Sequence, residues 1–311
     1  MKTYKLSFLS LLLLFFIAVS CQKEGSSGKA QVEITDAPID NANISGTFVT
    51  ISEIKMDGKS VEGFNKTTID LMAYQNGDTK LLGNFDLDAK TYSTLTLVLD
   101  HDTDASGASP GCYVLDVNGT KHALATATTE ININKAYSVA SDATSNIVID
   151  FDLRKSIVQS SSSGNDNYDF VTSAELNSAL RLVTKPNSGT VRGNCSDNTS
   201  NSDKIVVYAY KAGTYTRNTE TQGQGSSNIE FKNAVTSATV NANGDYTLSF
   251  LEEGSYEIYF ASYTENSSTG NFELQGTLNV NVLSTINLGG FQVGAGASVT
   301  ANVAVTGLLP L

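Results

Sequence analysis

Apolar and polar residues alternate with period two along most of this 311-residue chain. That spacing sends successive side chains to opposite faces of a strand. Leu95, Leu97 and Leu99 alternate with Thr94, Thr96 and Val98, and Ile205, Val207 and Ala209 with Val206, Tyr208 and Tyr210. Further series are Tyr246/Leu248/Phe250, Tyr256/Ile258/Phe260, Leu278/Val280/Val282 and Val299/Ala301/Val303/Val305. Turn clusters separate them, among them Asn76-Gly77-Asp78, Asn118-Gly119, Asn243-Gly244-Asp245 and Glu253-Gly254-Ser255. Many short strands at this spacing predict an all-β protein of two antiparallel β-sandwich domains, Ig-like or transthyretin-like. Only residues 172–183 carry a helical signal, where Thr172 and Glu175 form a capping box ahead of Leu176 and Leu180.

One strand breaks the pattern chemically. VIDFDLRKSIV (148–158) places two acids and two bases inside an apolar run. As a strand it aims Ile149, Phe151 and Leu153 one way and Asp150, Asp152 and Arg154 the other. Two carboxylates beside a base are the raw material of an acid–base pair. A structural face on which Arg154 balances Asp152, with Lys155-Ser156 turning the chain, accounts for the same residues and is the preferred reading. Burying both acids without partners costs several kcal/mol, so at least one is expected to be hydrogen-bonded or solvated. The polar stretch Ser161–Asn167 that follows reads as a loop.

The N-terminus is a different kind of segment. Lys2 and Lys5 precede an apolar run from Leu6 to Val19, shorter than the ~20 residues that span a bilayer, as in a secretory signal. Ala18-Val19-Ser20-Cys21 has the form of a bacterial lipobox. Cys21 is therefore the expected lipid attachment, with residues 1–20 the signal peptide and 21–30 a flexible tether. Several acyl chains give firm anchoring, each buried methylene contributing ~0.8 kcal/mol. No later stretch of the sequence has the length and apolarity of a membrane-spanning helix, so a tethered protein is expected.

Loss of residues 1–20 removes two lysines and no acid, moving the formal charge from −12 to −14. Such acidity argues against nucleic acid and anionic lipid as binding surfaces. Cys112 and Cys195 remain, candidates for a disulfide in an oxidising compartment. The Pro/Gly turn Lys185–Gly189 divides the β-rich chain, giving expected domains at 31–185 and 186–311.

Several stretches line up with a known module. VEITDAPID (32–40), IDLMAYQNGDTKLLG (69–83), YSTLTLVLD (92–100), VNGTKHAL (117–124), the DFD segment and LRLV (180–183) occur in order. Together they resemble the bacterial envelope module called domain of unknown function 4382, over roughly residues 31–184. A departure is Ser-Ala-Glu-Leu-Asn-Ser where the family has Lys-Pro before its last strand. SGTVRG (188–193), KIVVYAYKAG (204–213) and NGDYTLSFLEEGSYEIYFASY (243–263) resemble a transthyretin-like or carboxypeptidase-regulatory-like sandwich. The resemblance implies a lipoprotein of the Gram-negative envelope, in the periplasm or on the surface, with no catalytic residues to carry over.

Candidate chemistry is sparse. His101 and His122 are the two histidines; loop and strand-edge positions explain both. Asp100, Asp102 and Asp104 alternate as in calcium loops but lack the Gly at position 6 and the acid at position 12. A solvated loop is the reading preferred for them, and no metal or cofactor is expected. Tyr208, Tyr210, Tyr259 and Tyr263 fall opposite the apolar series and form a candidate exposed aromatic strip for a glycan or protein partner. Thr35-Asp36-Ala37-Pro38 reads as a turn capped by Asp36 and fixed by Pro38. The expected function is that of a non-catalytic, lipid-anchored outer-membrane protein, binding or structural at the cell envelope. The alternatives are a fimbrial-type assembly subunit, with ASVTANVAVTGLLPL (297–311) as the exchanged strand and Lys29 as a processing point, and a glycan-binding surface lipoprotein.

Overall fold

A computed structural model describes residues 26–37, 42–124, 128–162, 165–199 and 202–311. The signal stretch, Cys21 and Pro38 lie outside the described residues. Among the described residues strands dominate, and the α-helical segments are short, at Leu153–Ser156, Ser173–Ala179 and Arg217–Glu220.

The first half is a β-sandwich. One sheet has four strands in the order Leu180–Thr184, Thr144–Asp152, Ser27–Ala37, Lys80–Asp88. The other is built around the long strand Ile44–Met56, with Thr91–Leu99 and Tyr113–Asp116 beside it. Ile34, Ile149 and Phe151 from the first sheet share one core with Ile51, Leu95 and Leu97 from the second, as alternation requires of two facing sheets. The four-stranded sheet is mixed, because Ser27–Ala37 runs parallel to Thr144–Asp152 and antiparallel to Lys80–Asp88. The strand also begins earlier than expected. Ser27 to Ala30, read as tether, are already in the ladder, and a Cβ on Gly28 would meet the Ala140 carbonyl oxygen at 2.0 Å.

The capping box forms. Thr172 Oγ1 donates to Glu175 Oε2 at 2.7 Å and accepts from the Glu175 N–H at 3.4 Å, starting the Ser173–Ala179 helix. That helix delivers the chain into Leu180–Thr184, the strand that completes the four-stranded sheet. The polar stretch after the DFD segment is more ordered than a loop: Ile157–Ser162 and Asn165–Phe170 pair as a two-stranded ribbon.

A single 3-10 turn, Lys185–Asn187, leads to the second half. Its strands form one continuous ladder from Thr236–Thr239 round to Asp245–Glu252. Ser188–Ser196 is the hinge strand. It pairs with Asp245–Glu252 along most of its length, then with Val303–Pro310 at Cys195 and Ser196. The ladder thereby folds over itself, and Val207, Ile258 and Phe260 pack with Val191, Leu248 and Ala301.

The candidate disulfide does not form. Cys112 and Cys195 are both free and buried, one in the core of each half. Burial pushes each thiol up to about 12, so both behave as small apolar groups.

Candidate functional site

The DFD strand lies where the two halves meet. Both of its faces are covered: Ile147, Ile149 and Phe151 by the first-half core, Val148, Asp150 and Asp152 by the second half. The strand stops at Asp152, which caps the one-turn helix Leu153–Ser156 by accepting from the Lys155 N–H at 3.3 Å. Helical geometry therefore places Arg154, correcting the expectation that strand alternation would. It still balances Asp152, at 3.4 Å, and Lys155 lies 3.0 Å from the same carboxylate.

Three cations from the first half reach backbone carbonyls of the second. Arg154 Nη1 donates to Glu230 O at 2.5 Å and Nη2 to Phe231 O at 3.3 Å, with the guanidinium 5.0 Å above the Tyr208 ring. Lys155 Nζ donates to Ala234 O at 2.8 Å. Arg181, opposite Asp150 in the ladder, contacts that carboxylate at 2.6 Å and donates to Phe250 O at 2.5 Å and Ser249 O at 3.2 Å.

The receiving carbonyls are exposed by irregular backbone. Ser249 and Phe250 form a bulge, since Gly189 pairs with Leu251 and Val191 with Leu248. A bulge leaves its extra residues without ladder partners, and Arg181 takes up both. Phe250 sits at φ 55° and Phe231 at φ 48°, a left-handed region costly for bulky residues. Each phenylalanine is held by packing, Phe250 against Val148 and Val183 of the first half, Phe231 stacked on Tyr208 at 4.0 Å. Glu175 adds a link in the same place. It accepts from Ser227 Oγ at 2.6 Å and lies 3.7 Å from Lys232.

The electrostatics follow from burial and partners. Burial acts to raise Asp152, but Lys155 and Arg154 outweigh it and hold the carboxyl below its ordinary value. Asp150 is raised by burial, which the Arg181 charge only partly offsets. Asp36 is raised well above the usual carboxylate range by burial, with the Asp150 and Asp152 charges adding to it. Asp36 accepts from the Leu153 N–H at 3.2 Å, tying the TDAP and DFD segments together, while the turn it was expected to cap runs into residues outside those described. Burial also works against ionised Glu175, but hydrogen bonds from Ser227 and Thr172 hold it down at about 2. Asp36, Asp152 and Glu175 are structural anchors committed to internal partners, as is Asp150 through Oδ2.

The other sequence candidates lie elsewhere. Asp100 accepts from Lys66 at 2.6 Å and from the Asp102 and Thr103 N–H groups, and the lysine bond with these holds it at about 2. Asp104 accepts from Ser106 and Ala108 within its own loop, and Asp102 is exposed. Among the described residues no three His, Cys, Asp or Glu side chains are grouped to hold a metal ion. His122 pairs with Asp116 at 3.1 Å, and His101 sets its ring edge against Phe170.

The exposed tyrosine strip is overturned. Tyr208, Tyr210 and Tyr263 are buried and Tyr259 is half-buried. The 212–235 segment folds over that sheet face, bringing Phe231 onto Tyr208 and Tyr215 onto Tyr259 at 3.6 Å. Tyr208 and Tyr263 share a 2.6 Å hydroxyl contact, and Tyr210 donates to Glu220 at 2.9 Å. Sequence reasoning missed the receiving carbonyls entirely, because left-handed phenylalanines and a bulge leave no mark in an alternation pattern.

A fold of two β-halves joined by buried ion pairs defines an all-β, sandwich-built protein. Within it, residues 27–171 match the family model described as a domain of unknown function, DUF4382. The match stops before the Ser173–Ala179 helix and the strand Leu180–Thr184. No curated protein matches the chain significantly. Among solved structures, the Bacillus anthracis TIE protein is 13% identical with a TM-score of 0.21, over 90% of this chain and 34% of that one. The major pilin subunit BcpA of Bacillus cereus is 9% identical with a TM-score of 0.21, over 90% of this chain and 71% of that one. The shaft pilin spaA of Lactobacillus rhamnosus GG is 9% identical with a TM-score of 0.21, over 92% of this chain and 100% of that one. The chain thus spans about a third of the first of these proteins. Scores of this size do not establish a shared topology.

Proposed function

We propose that the protein is a non-catalytic, lipid-anchored component of a Gram-negative outer membrane, its two β-halves locked together as one rigid body. Acyl chains on Cys21, palmitate among them, hold it at the bilayer. The halves beyond them present a binding or spacer surface at fixed geometry to envelope proteins or glycans. The observation that carries the rigid-body reading is the insertion of Arg154, Lys155 and Arg181 into carbonyls of the second half. The lipobox sequence supports the anchoring.

Substituting Cys21→Ala tests the anchor. Palmitate incorporation should disappear and the protein should become soluble; retention in the membrane fraction would refute the lipid attachment. Protease shaving of intact cells then distinguishes surface from periplasmic placement.

A fimbrial-type assembly subunit is the second reading. Its favouring feature is the strand Val303–Pro310, which pairs along Gly276 to Val282 and is the natural element to exchange between copies. Cleavage after Lys29 would fall inside a ladder, since Lys29 pairs with Thr144 and Asp86. SDS-resistant ladders from native envelopes would favour assembly, and monomers alone would refute it.

A further inference from the structure

Two cavities open side by side along the junction, of about 350 Å³ and about 400 Å³, sharing Ser178, Arg181 and Val235. The first is walled by three carboxylates, Asp150, Asp152 and Glu175, and three cations, Lys155, Arg181 and Lys232. The pairs stand 2.6, 3.0 and 3.7 Å apart. A lining of zero net charge gives neither an anion nor a cation a net attraction, and each would meet like charges at close range. Asp150 Oδ1 is buried with no hydrogen-bond partner, while Oδ2 takes Arg181. Sealed from solvent, Oδ1 is out of a ligand's reach. The carboxylate open to a ligand hydroxyl along the two cavities is Glu252, whose side chain is 43% exposed. Lys232 Nζ, beyond hydrogen-bonding reach of Glu175, offers a donor in the first cavity.

The second cavity continues the theme with amides. Asn132 Oδ1 accepts from Thr96, Asn177 Oδ1 from the Asn132 N–H, and Asn134 Oδ1 from Thr94. Their carbonyl oxygens are engaged, which leaves the Nδ2 groups as donors. Half-buried Val235 supplies apolar lining beside them, while Ile133 and Leu180 turn their side chains into the first-half core. Mixed donors and acceptors, zero net charge, apolar patches and a volume in the range of small-ligand pockets describe one ligand chemistry. The geometry points to a neutral saccharide, with hydroxyls that both donate and accept and a C–H face that packs on apolar side chains. One ring fills the charged cavity and a second the amide cavity, so the ligand is a disaccharide or the end of a longer glycan. This site replaces the tyrosine strip as the place where the protein meets carbohydrate, and it is independent of the lipid anchor.

Saturation-transfer NMR on the protein with millimolar cellobiose, chitobiose and maltose tests the assignment, with citrate and spermidine as charged controls. Transfer to at least one neutral disaccharide, and to neither control, is the expected result. Asn134→Ala and Lys232→Met change half-buried or exposed side chains. Each should weaken that binding about fivefold, the loss of one hydrogen bond. The melting temperature should fall by no more than about 4 °C, since the partly exposed Lys232–Glu175 pair contributes about 1 kcal/mol or less. No transfer from any of the three sugars, binding untouched by both variants, or stronger binding of citrate or spermidine would overturn the proposal.

Discussion

Arg154 is the sharpest probe of how the halves are held. Its side chain is 6% exposed, so solvent screening does little to soften its interactions. Arg154→Met keeps the aliphatic stem against Tyr208 while removing the charged head. Two hydrogen bonds from a guanidinium to carbonyls contribute about 1.5–3 kcal/mol each, and the lost cation–π contact about 1 kcal/mol. These contributions share one geometry and are not additive, which puts the net loss at about 4 kcal/mol. Asp152 keeps Lys155, so it is not left unpaired. At about 2–4 °C per kcal/mol for a chain of this size, the first melting transition should fall by about 10 °C. Differential scanning calorimetry of the protein should show one cooperative transition in the wild type and two separated ones in Arg154→Met. A loss below about 1 kcal/mol with the single transition intact would refute the reasoning, because it would mean the junction is held by apolar contact alone.

Two further outcomes follow from the same cluster. Arg181→Met strands buried Asp150 and should cost about 3–5 kcal/mol in urea unfolding, whereas adding Asp150→Asn should recover most of it; equal losses in single and double variants would contradict the ion-pair assignment. Asp36 has a folded-state pKa raised by burial, so the folded state holds a proton that the unfolded chain releases. Stability therefore falls as pH rises from the ordinary aspartate value of 3.8 towards the raised one, and stays lower above it. Asp36→Asn keeps an acceptor for the Leu153 N–H and should flatten that slope and raise the neutral-pH urea midpoint; an unchanged slope would refute the buried-acid reading.

The strand pattern was legible because a sandwich core needs every second side chain, and Leu95, Leu97 and Leu99 are all buried as alternation requires. The Thr172–Glu175 cap was legible for a similar reason, since capping is settled within four residues. Turn positions belong to the same class: Gly77, Gly119 and Gly244 all take positive φ. Local chemistry was thus enough to place elements and their ends.

Which faces are covered was decided only in three dimensions. The tyrosine face of Lys204–Lys211 read as exposed, and the acidic face of the DFD strand as hydrogen-bonded or solvated, and both are buried. Alternation distinguishes one face from the other but carries no information about what packs across from either. The sequence by itself determined that strand 148–152 has an apolar and an acidic side. The 212–235 segment and the Ser249–Phe250 bulge, far along the chain, decided that the acidic side would meet carbonyls instead of water. That choice turned a candidate acid–base pair into the fastening between two halves, because a buried carboxylate is tolerated only where a cation and its hydrogen bonds are brought to it.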